Sequence, residues 1–351
     1  MIAGIAGVVV AGVVAALILS QPEDKPAEVQ TTEPERELEP ELDQPKFDYG
    51  KYGLQIDNLR ATRKKNPCAK RVAIDLGEKL NAAGDYHGAI LLVDEFHKEC
   101  GTYPRLLWVK VYAHEQLGQW SEAAELSTQL IADKPYDSDF WWWRGKAHAE
   151  GGNELQAKAD FRQSIAAKPN KFAAARYAQY FGDHDPCEAA FALSFYAEQR
   201  PEQQATWATR DAERLYLAGD CDRLAGRGTT SIRFKDGAPI IKTRAKVNGR
   251  TGTFVVSDQS AYVTMSRAFA DKAGVEMSSD SATIYLAEAH HTATLASADI
   301  TAGRASAASV AIAVAGEMPG DIDGILGVSF LWRFAYDRMP GELSLTSRTG
   351  N

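Results

Sequence analysis

At 351 residues, with 45% hydrophobic and 25% charged side chains, the chain has the composition of a globular protein with room for two ordinary domains plus extensions. Its net charge of −8 is unevenly placed, because residues 21–46 hold nine acids and three bases and so carry six of the eight net negative charges. No basic field or basic-aromatic strip remains to hold a phosphate backbone, which excludes nucleic acid as a partner.

Ile2 to Leu19 is an unbroken run of apolar and small residues, about the length a hydrocarbon core demands of a helix. A cleaved signal peptide would follow a basic segment and end on a small-x-small site. No Lys or Arg precedes this run, and Leu17-Ile18-Leu19-Ser20 is a poor cleavage site. Residues 1–20 are therefore expected to form an uncleaved transmembrane anchor, its orientation weakly set by its flanks. Ala3, Gly7 and Ala11 give the small-xxx-small spacing that packs one such helix on another. Residues 21–46 add five prolines to their acids. Such a segment buries no apolar surface and repels itself, so it reads as an extended, disordered tether of roughly 30 Å.

A repeat follows. Gly84-Asp85-Tyr86, Gly118-Gln119-Trp120 and Gly152-Asn153-Glu154 recur every 34 residues, Ala89, Ala123 and Ala157 follow at a fixed offset, and Pro135 and Pro169 close the second and third units. Glycine at the end of a first helix and alanine inside a second are what a helical hairpin with closely approaching helices needs. These positions resemble the tetratricopeptide repeat over residues 68–220, with three recognisable units and a degenerate fourth, and place an all-α domain at 47–225. The resemblance implies that the first helix of each pair lines a concave groove receiving a protein or peptide partner. Trp108 and Trp142 are one repeat apart, with Tyr112 and Lys146 one turn further on, so these four are the candidate partner-binding residues. Trp141-Trp142-Trp143 cannot all face one core, since consecutive helical residues point about 100° apart. Trp141 is expected inside and Trp142 in the groove. His114 and His148, also in register, read as helix-surface or packing residues rather than metal ligands.

The four cysteines form pairs separated by 32 and 34 residues, and no C-x-x-C or Cys/His zinc spacing exists. Cys68 opens the first helix of unit one and Cys100 closes its second; Cys187 and Cys221 stand likewise about a later hairpin. In an antiparallel pair such ends are neighbours, which predicts disulfides Cys68–Cys100 and Cys187–Cys221. With an anchor, they place the bulk of the chain outside the cytoplasm, in the periplasm if the source is bacterial.

Beyond Ala225-Gly226-Arg227-Gly228 the pattern changes to period two. Thr230–Phe234, Ile240–Val247 and Thr253–Val256 read as strands and Asn248-Gly249 as a tight hairpin turn, so residues 228–347 form a mostly β domain. V-N-G-R-T-G-T-F-V-V at 247–256, Y-V-T-M-S-R-A-F-A-D-K-A-G-V at 262–275 and D-G-I-L-G-V-S-F-L at 323–331, with Arg333-Phe334 and G-E-L-S-L at 341–345, resemble the retropepsin-like aspartyl protease family. The resemblance implies a single-lobe barrel. Residues 283–299 would supply its flap hairpin, with His290 and His291 near the tip, and a D-T-G-A-S loop would fall on Ser257-Asp258-Gln259-Ser260-Ala261. Ser257 then occupies the catalytic aspartate position and Gln259 that of the glycine. A hydroxyl cannot replace one of two carboxyls sharing a proton. Recruiting Asp258 turns a side chain to the other face of the segment, and a single lobe must still dimerise to supply two acids. A Ser257–His290/His291 triad has no supporting spacing, and two histidines are too few for a metal site.

The sequence thus points to a membrane-tethered extracytoplasmic scaffold for protein partners, with a catalytically inactive retropepsin-like domain serving peptide binding or dimerisation. An active dimeric endopeptidase using Asp258, or a structural subunit of an envelope assembly, are the alternatives. No cofactor or metal is expected.

Overall fold

The computed structural model describes residues 47–168, 170–201, 206–238, 240–286 and 289–348. The expected anchor and tether, at 1–46, lie outside the described residues. No helix within them is long and apolar enough to cross a membrane. Phe47 to Asn351 forms one compact unit.

Its first part is a stack of helices: α1 (Gly53–Lys65), α2 (Lys70–Ala83), α3 (Tyr86–Cys100), α4 (Pro104–Gln116), α5 (Trp120–Asp133), α6 (Ser138–Glu150), α7 (Glu154–Ala167), α8 (Lys171–Phe181), α9 (Pro186–Gln199) and α10 (Thr206–Ala218). The pairs α2/α3, α4/α5 and α6/α7 turn in the same way. Gly84, Gly118 and Gly152 take φ of +88°, +69° and +80°, the left-handed region open to glycine at little cost. The next residue's N–H then closes on a carbonyl five residues back, Asp85 to Leu80, Gln119 to His114 and Asn153 to His148, at 2.8–2.9 Å. Ala89, Ala123 and Ala157 are fully buried on the seam, as the repeat demands. Disulfides join Cys68 to Cys100 and Cys187 to Cys221, the first closing α2/α3 and the second tying the start of α9 to the turn after α10.

The second part comprises β1 (Thr230–Arg233), β2 (Ile241–Val247), β3 (Arg250–Val256), β4 (Val263–Ser266), α11 (Arg267–Lys272), β5 (Met277–Leu286), β6 (Ala289–Ala302), β7 (Ala305–Ala315), β8 (Gly324–Leu326), α12 (Val328–Leu331), β9 (Phe334–Met339) and β10 (Glu342–Ser347). Asn248 and Gly249, both at positive φ, make the predicted β2–β3 turn. One sheet runs β2-β3-β8-β4-β7-β6-β5, and pairing of β2 with the end of β6 closes it into a barrel; β1-β10-β9 form a second, three-stranded sheet. The core is continuous across the two parts. Phe161, Tyr177, Phe191 and Phe195 of the helices share one apolar cluster with Phe254, Leu326, Trp332 and Phe334 of the strands.

Candidate functional site: a degenerate loop, its helical cap and an aromatic groove

Loop 257–261 leaves the end of β3 and is fixed by the β8–α12 segment. The Ser257 N–H donates to the Leu326 carbonyl at 3.0 Å, and the Val328 N–H donates to the Ser260 carbonyl at 2.7 Å. Gly327 makes this crossing possible, since a Cβ there would lie 2.0 Å from the Tyr262 carbonyl oxygen. Ser329 ties the loop's exit to β7, accepting from the Val263 N–H at 2.8 Å and donating to the Ala311 carbonyl at 2.7 Å. Among the described residues the Ser257 hydroxyl accepts a local bond from the Gln259 N–H at 3.2 Å.

Asp258, the acid next to the degenerate position, is engaged elsewhere. Tyr336 of β9 donates its hydroxyl to Asp258 at 3.1 Å, and the Arg338 guanidinium lies 3.6 Å away. Burial, reinforced by this carboxylate, pushes the Tyr336 hydroxyl well above the usual phenol range, so it remains a donor at all ordinary pH. Asp258 is therefore not a freely solvated loop acid but the acceptor of a bond from a strand residue.

The loop faces a helix of its own chain. Gln156, Ala159 and Gln163 lie at i, i+3 and i+7 on one face of α7. The Gln163 carboxamide donates to the Gln259 carbonyl at 2.8 Å and accepts from the Ala261 N–H at 3.3 Å. Two turns earlier Gln156 does the same to the hairpin, donating to the Thr283 carbonyl at 3.1 Å and accepting from the Thr283 N–H at 2.7 Å. Each carboxamide thus pairs with main chain as a neighbouring strand's peptide group would. Between them Ala159, 2% exposed, packs among Ala261, Tyr262, Ala282, Ile284, Ala293 and Ala313. The groove between the β5–β6 hairpin and loop 257–261 is filled by α7.

An ion-pair cluster beside this face joins the same elements. Glu188 of α9 is buried between Arg162 of α7, at 3.0 Å, and Arg333, at 2.5 Å. Burial works against the Glu188 carboxylate, but the two guanidiniums outweigh it and hold its pKa below the usual range. Arg162 also lies 5.0 Å over the Tyr262 ring and 5.4 Å over Trp332.

The hairpin end rests on α6. The His290 ring packs 5.8 Å from Trp141 and 5.5 Å from Tyr285, while the Trp141 indole donates to the Pro135 carbonyl at 2.6 Å. Beside it a cavity of about 600 Å³ is lined by Thr128, Arg144, His148, Gln156, Thr283 and His290. Arg144 is already neutralised by a two-pronged pair with fully buried Asp160, at 2.7 and 2.8 Å. Burial lowers the pKa of both His148 and His290, and Arg144 adds to the effect. His291 contacts the Leu286 carbonyl at 3.1 Å. No metal-binding group of His, Cys, Asp and Glu assembles among the described residues. His114 is a buried packing residue in contact with Gln119 at 2.7 Å.

The residues expected in the groove fall in two rows at the 34-residue period. Trp108 (α4), Trp142 (α6) and Arg176 (α8) make one, and Tyr112, Lys146 and Tyr180 the other. Trp141 is buried at 1% exposure, as expected, and Tyr112 is 42% exposed. Trp142 is half-buried, its ring 5.7 Å from Phe172 and 6.5 Å from Trp143, and Trp143 stacks on Trp108 at 6.4 Å. Lys146 is bound to Glu115 at 2.8 Å, so it is not a free cation. Burial raises the Glu115 carboxyl, an effect that Lys146 partly offsets.

No protein-family model and no curated protein matches the chain. Among solved structures, the helical half is similar in fold to MamA, with 16% identity over 47% of this chain and 88% of that one and a TM-score of 0.33. It is also similar to YrrB, described as a tetratricopeptide repeat protein with an unusual peptide-binding site, with 11% identity over 47% and 85% and a TM-score of 0.38. The β half is similar to a retropepsin-like aspartic protease from Rickettsia conorii, with 20% identity over 34% of this chain and 92% of that one and a TM-score of 0.27. Helical hairpins at a 34-residue period thus precede a closed β barrel, the order that the two sets of sequence motifs call for.

Arg176 and Tyr180 escape motif reading because the fourth repeat is degenerate, although adding 34 to Trp142 and Lys146 reaches them. Gln156, Gln163 and Glu188 carry no such signal beyond being polar on helices that must also pack.

Proposed function

We propose that this protein is a protein-binding repeat scaffold whose retropepsin-like half has lost peptidase chemistry. Residues 1–46 would tether it to the outer face of a membrane. The observation that carries the reading is the state of loop 257–261. Serine stands at the catalytic position, and the loop's main chain is paired with Gln163 of the same chain. Peptide hydrolysis of this type needs two carboxyls sharing one proton around a water. Here the adjacent acid is bound to Tyr336 and Arg338, and α7 is bonded to the main chain of the loop itself. That occupancy supports an inactive β half, and partner binding falls to the groove of Trp108, Tyr112, Trp142 and Lys146, extended by Arg176 and Tyr180.

The purified full-length chain is expected to cleave no peptide between acid and neutral pH, with no response to an aspartic-protease inhibitor. Cleavage that disappears in Asp258→Asn sinks the inactive reading. The two disulfides support an oxidising location. A thiol probe applied to intact cells and lysates should label the four cysteines only after reduction, whereas labelling of the native protein overturns the extracytoplasmic placement.

A further inference from the structure

We infer that the groove takes an extended, proline-rich peptide in the polyproline II conformation; this rests on the reading of the groove as the partner site and gives it a ligand class. Three observations lead there. Rings run without interruption across three repeats, Phe172 to Trp142 to Trp143 to Trp108, in steps of 5.7, 6.5 and 6.4 Å. Phe172 at one end is 57% exposed, with the Lys171 ammonium 5.3 Å over its ring, and Tyr112 beside the other end is 42% exposed, so both ends of the row reach solvent. About six residues of polyproline II, at a rise of about 3.1 Å each, cover such a run.

The wall of the groove decides the backbone conformation. It is made of helices, α4, α6 and α8, whose main-chain groups are spent inside the helices themselves. A β-strand ligand would find no edge to pair with and would leave its own N–H groups against apolar rings. Polyproline II is the extended form that needs no inter-strand hydrogen bonds, and proline supplies no N–H to strand there. Pyrrolidine rings lie flat on aromatic faces, and a segment already extended loses little freedom on docking.

Charge decides against the obvious alternative, an acidic tail. Lys146 is neutralised by Glu115 at 2.8 Å, and Arg176, which donates to the neutral Gln179 carboxamide and keeps its charge, is set against Glu150, which accepts from Tyr180 beside it. No unpaired field of one sign is left to select a charged ligand.

The test uses the full-length chain and three peptides of equal length: one with alternating prolines and apolar residues, one of glycine and serine, and one rich in Glu. Tryptophan fluorescence and calorimetry should show the proline-rich peptide binding at least about tenfold more tightly than either control. Tyr112→Ala and Phe172→Ala, both at exposed rings, should each weaken it by about tenfold with the circular dichroism spectrum unchanged. If a proline-free peptide binds as tightly and depends on the same two rings, the ligand class is wrong and the groove stands. If the proline-rich peptide binds but ignores both substitutions, or nothing binds, the inference fails and the groove reading fails with it.

Discussion

The helical and β halves each present a surface of apolar and aromatic side chains, and they treat it in opposite ways. In the helical half Tyr112 and Phe172 stand partly in solvent, and Lys146 and Glu115 are paired with each other. In the β half the equivalent space, between the β5–β6 hairpin and loop 257–261, is closed by α7, with Gln156 and Gln163 bonded to its main chain. The difference teaches that two such surfaces in one chain can end differently, one partly open to solvent and the other turned into an internal joint. What holds that joint is a set of polar groups buried in matched pairs, costly to break once water is excluded.

The comparison breaks most severely at Glu188. Glu188→Gln leaves two buried guanidiniums without their carboxylate and should cost about 3–5 kcal/mol. Both halves should then melt together at a lower temperature by calorimetry. A melting temperature unchanged from wild type would show that the cluster does not hold the joint. The next largest effect belongs to α7 itself. Gln163→Ala or Gln156→Ala strands a main-chain N–H and C=O in a closed interface, at about 1–3 kcal/mol each. Hydrogen exchange should quicken at Ala261 or Thr283 while α4 and α5 keep their protection. Equal loss of protection throughout would mean that the two halves cannot open separately.

The smallest effect is a pH dependence confined to the joint. His148 and His290 have pKa values lowered by burial, so in the unfolded chain they bind protons more readily than in the folded one. Their contribution to stability is complete above the unfolded value of about 6.5 and is lost as pH falls below it. The groups facing His290 from neighbouring elements are Arg144, Asp160 and His291, and those facing His148 are Asp160 and Arg144. The urea midpoint should fall between pH 7.5 and 5.5, and His290→Gln should flatten that fall. An equal slope in the variant would place the titration elsewhere.

Much of this architecture was written in local signals. The Gly84, Gly118 and Gly152 turns and the Ala89, Ala123 and Ala157 seam are legible because each repeat must satisfy the same short-range geometry. The cysteine pairs are legible because hairpin ends meet. Gly324 and Gly327 are legible because only glycine fits there, a Cβ at the first meeting the Thr264 carbonyl of β4 at 2.4 Å and at the second the Tyr262 carbonyl at 2.0 Å. What could not be read is the choice of partner for surfaces that meet over long sequence distances. Gln163 and Gln259 are 96 residues apart, and Gln156 and Thr283 are 127 apart. Nothing in a glutamine says whether it faces solvent or a strand edge. The pairing of Asp258 with Tyr336 and of Lys146 with Glu115 was hidden in the same way, since an acid or a lysine on an exposed-looking turn is usually solvated.

The position of α7 in the chain has a consequence for synthesis. The helix lies ahead of every strand it contacts, so it leaves the ribosome and packs against α6 through local contacts before the hairpin and loop exist. When β3 to β8 emerge, the edge of Thr283 and the open main chain of Gln259 and Ala261 meet a surface already formed to receive them. The β half thus completes on a template made by its predecessor, and the same segment made without that predecessor would enter solution with a raw strand edge and an uncovered Tyr262, the combination from which aggregates start.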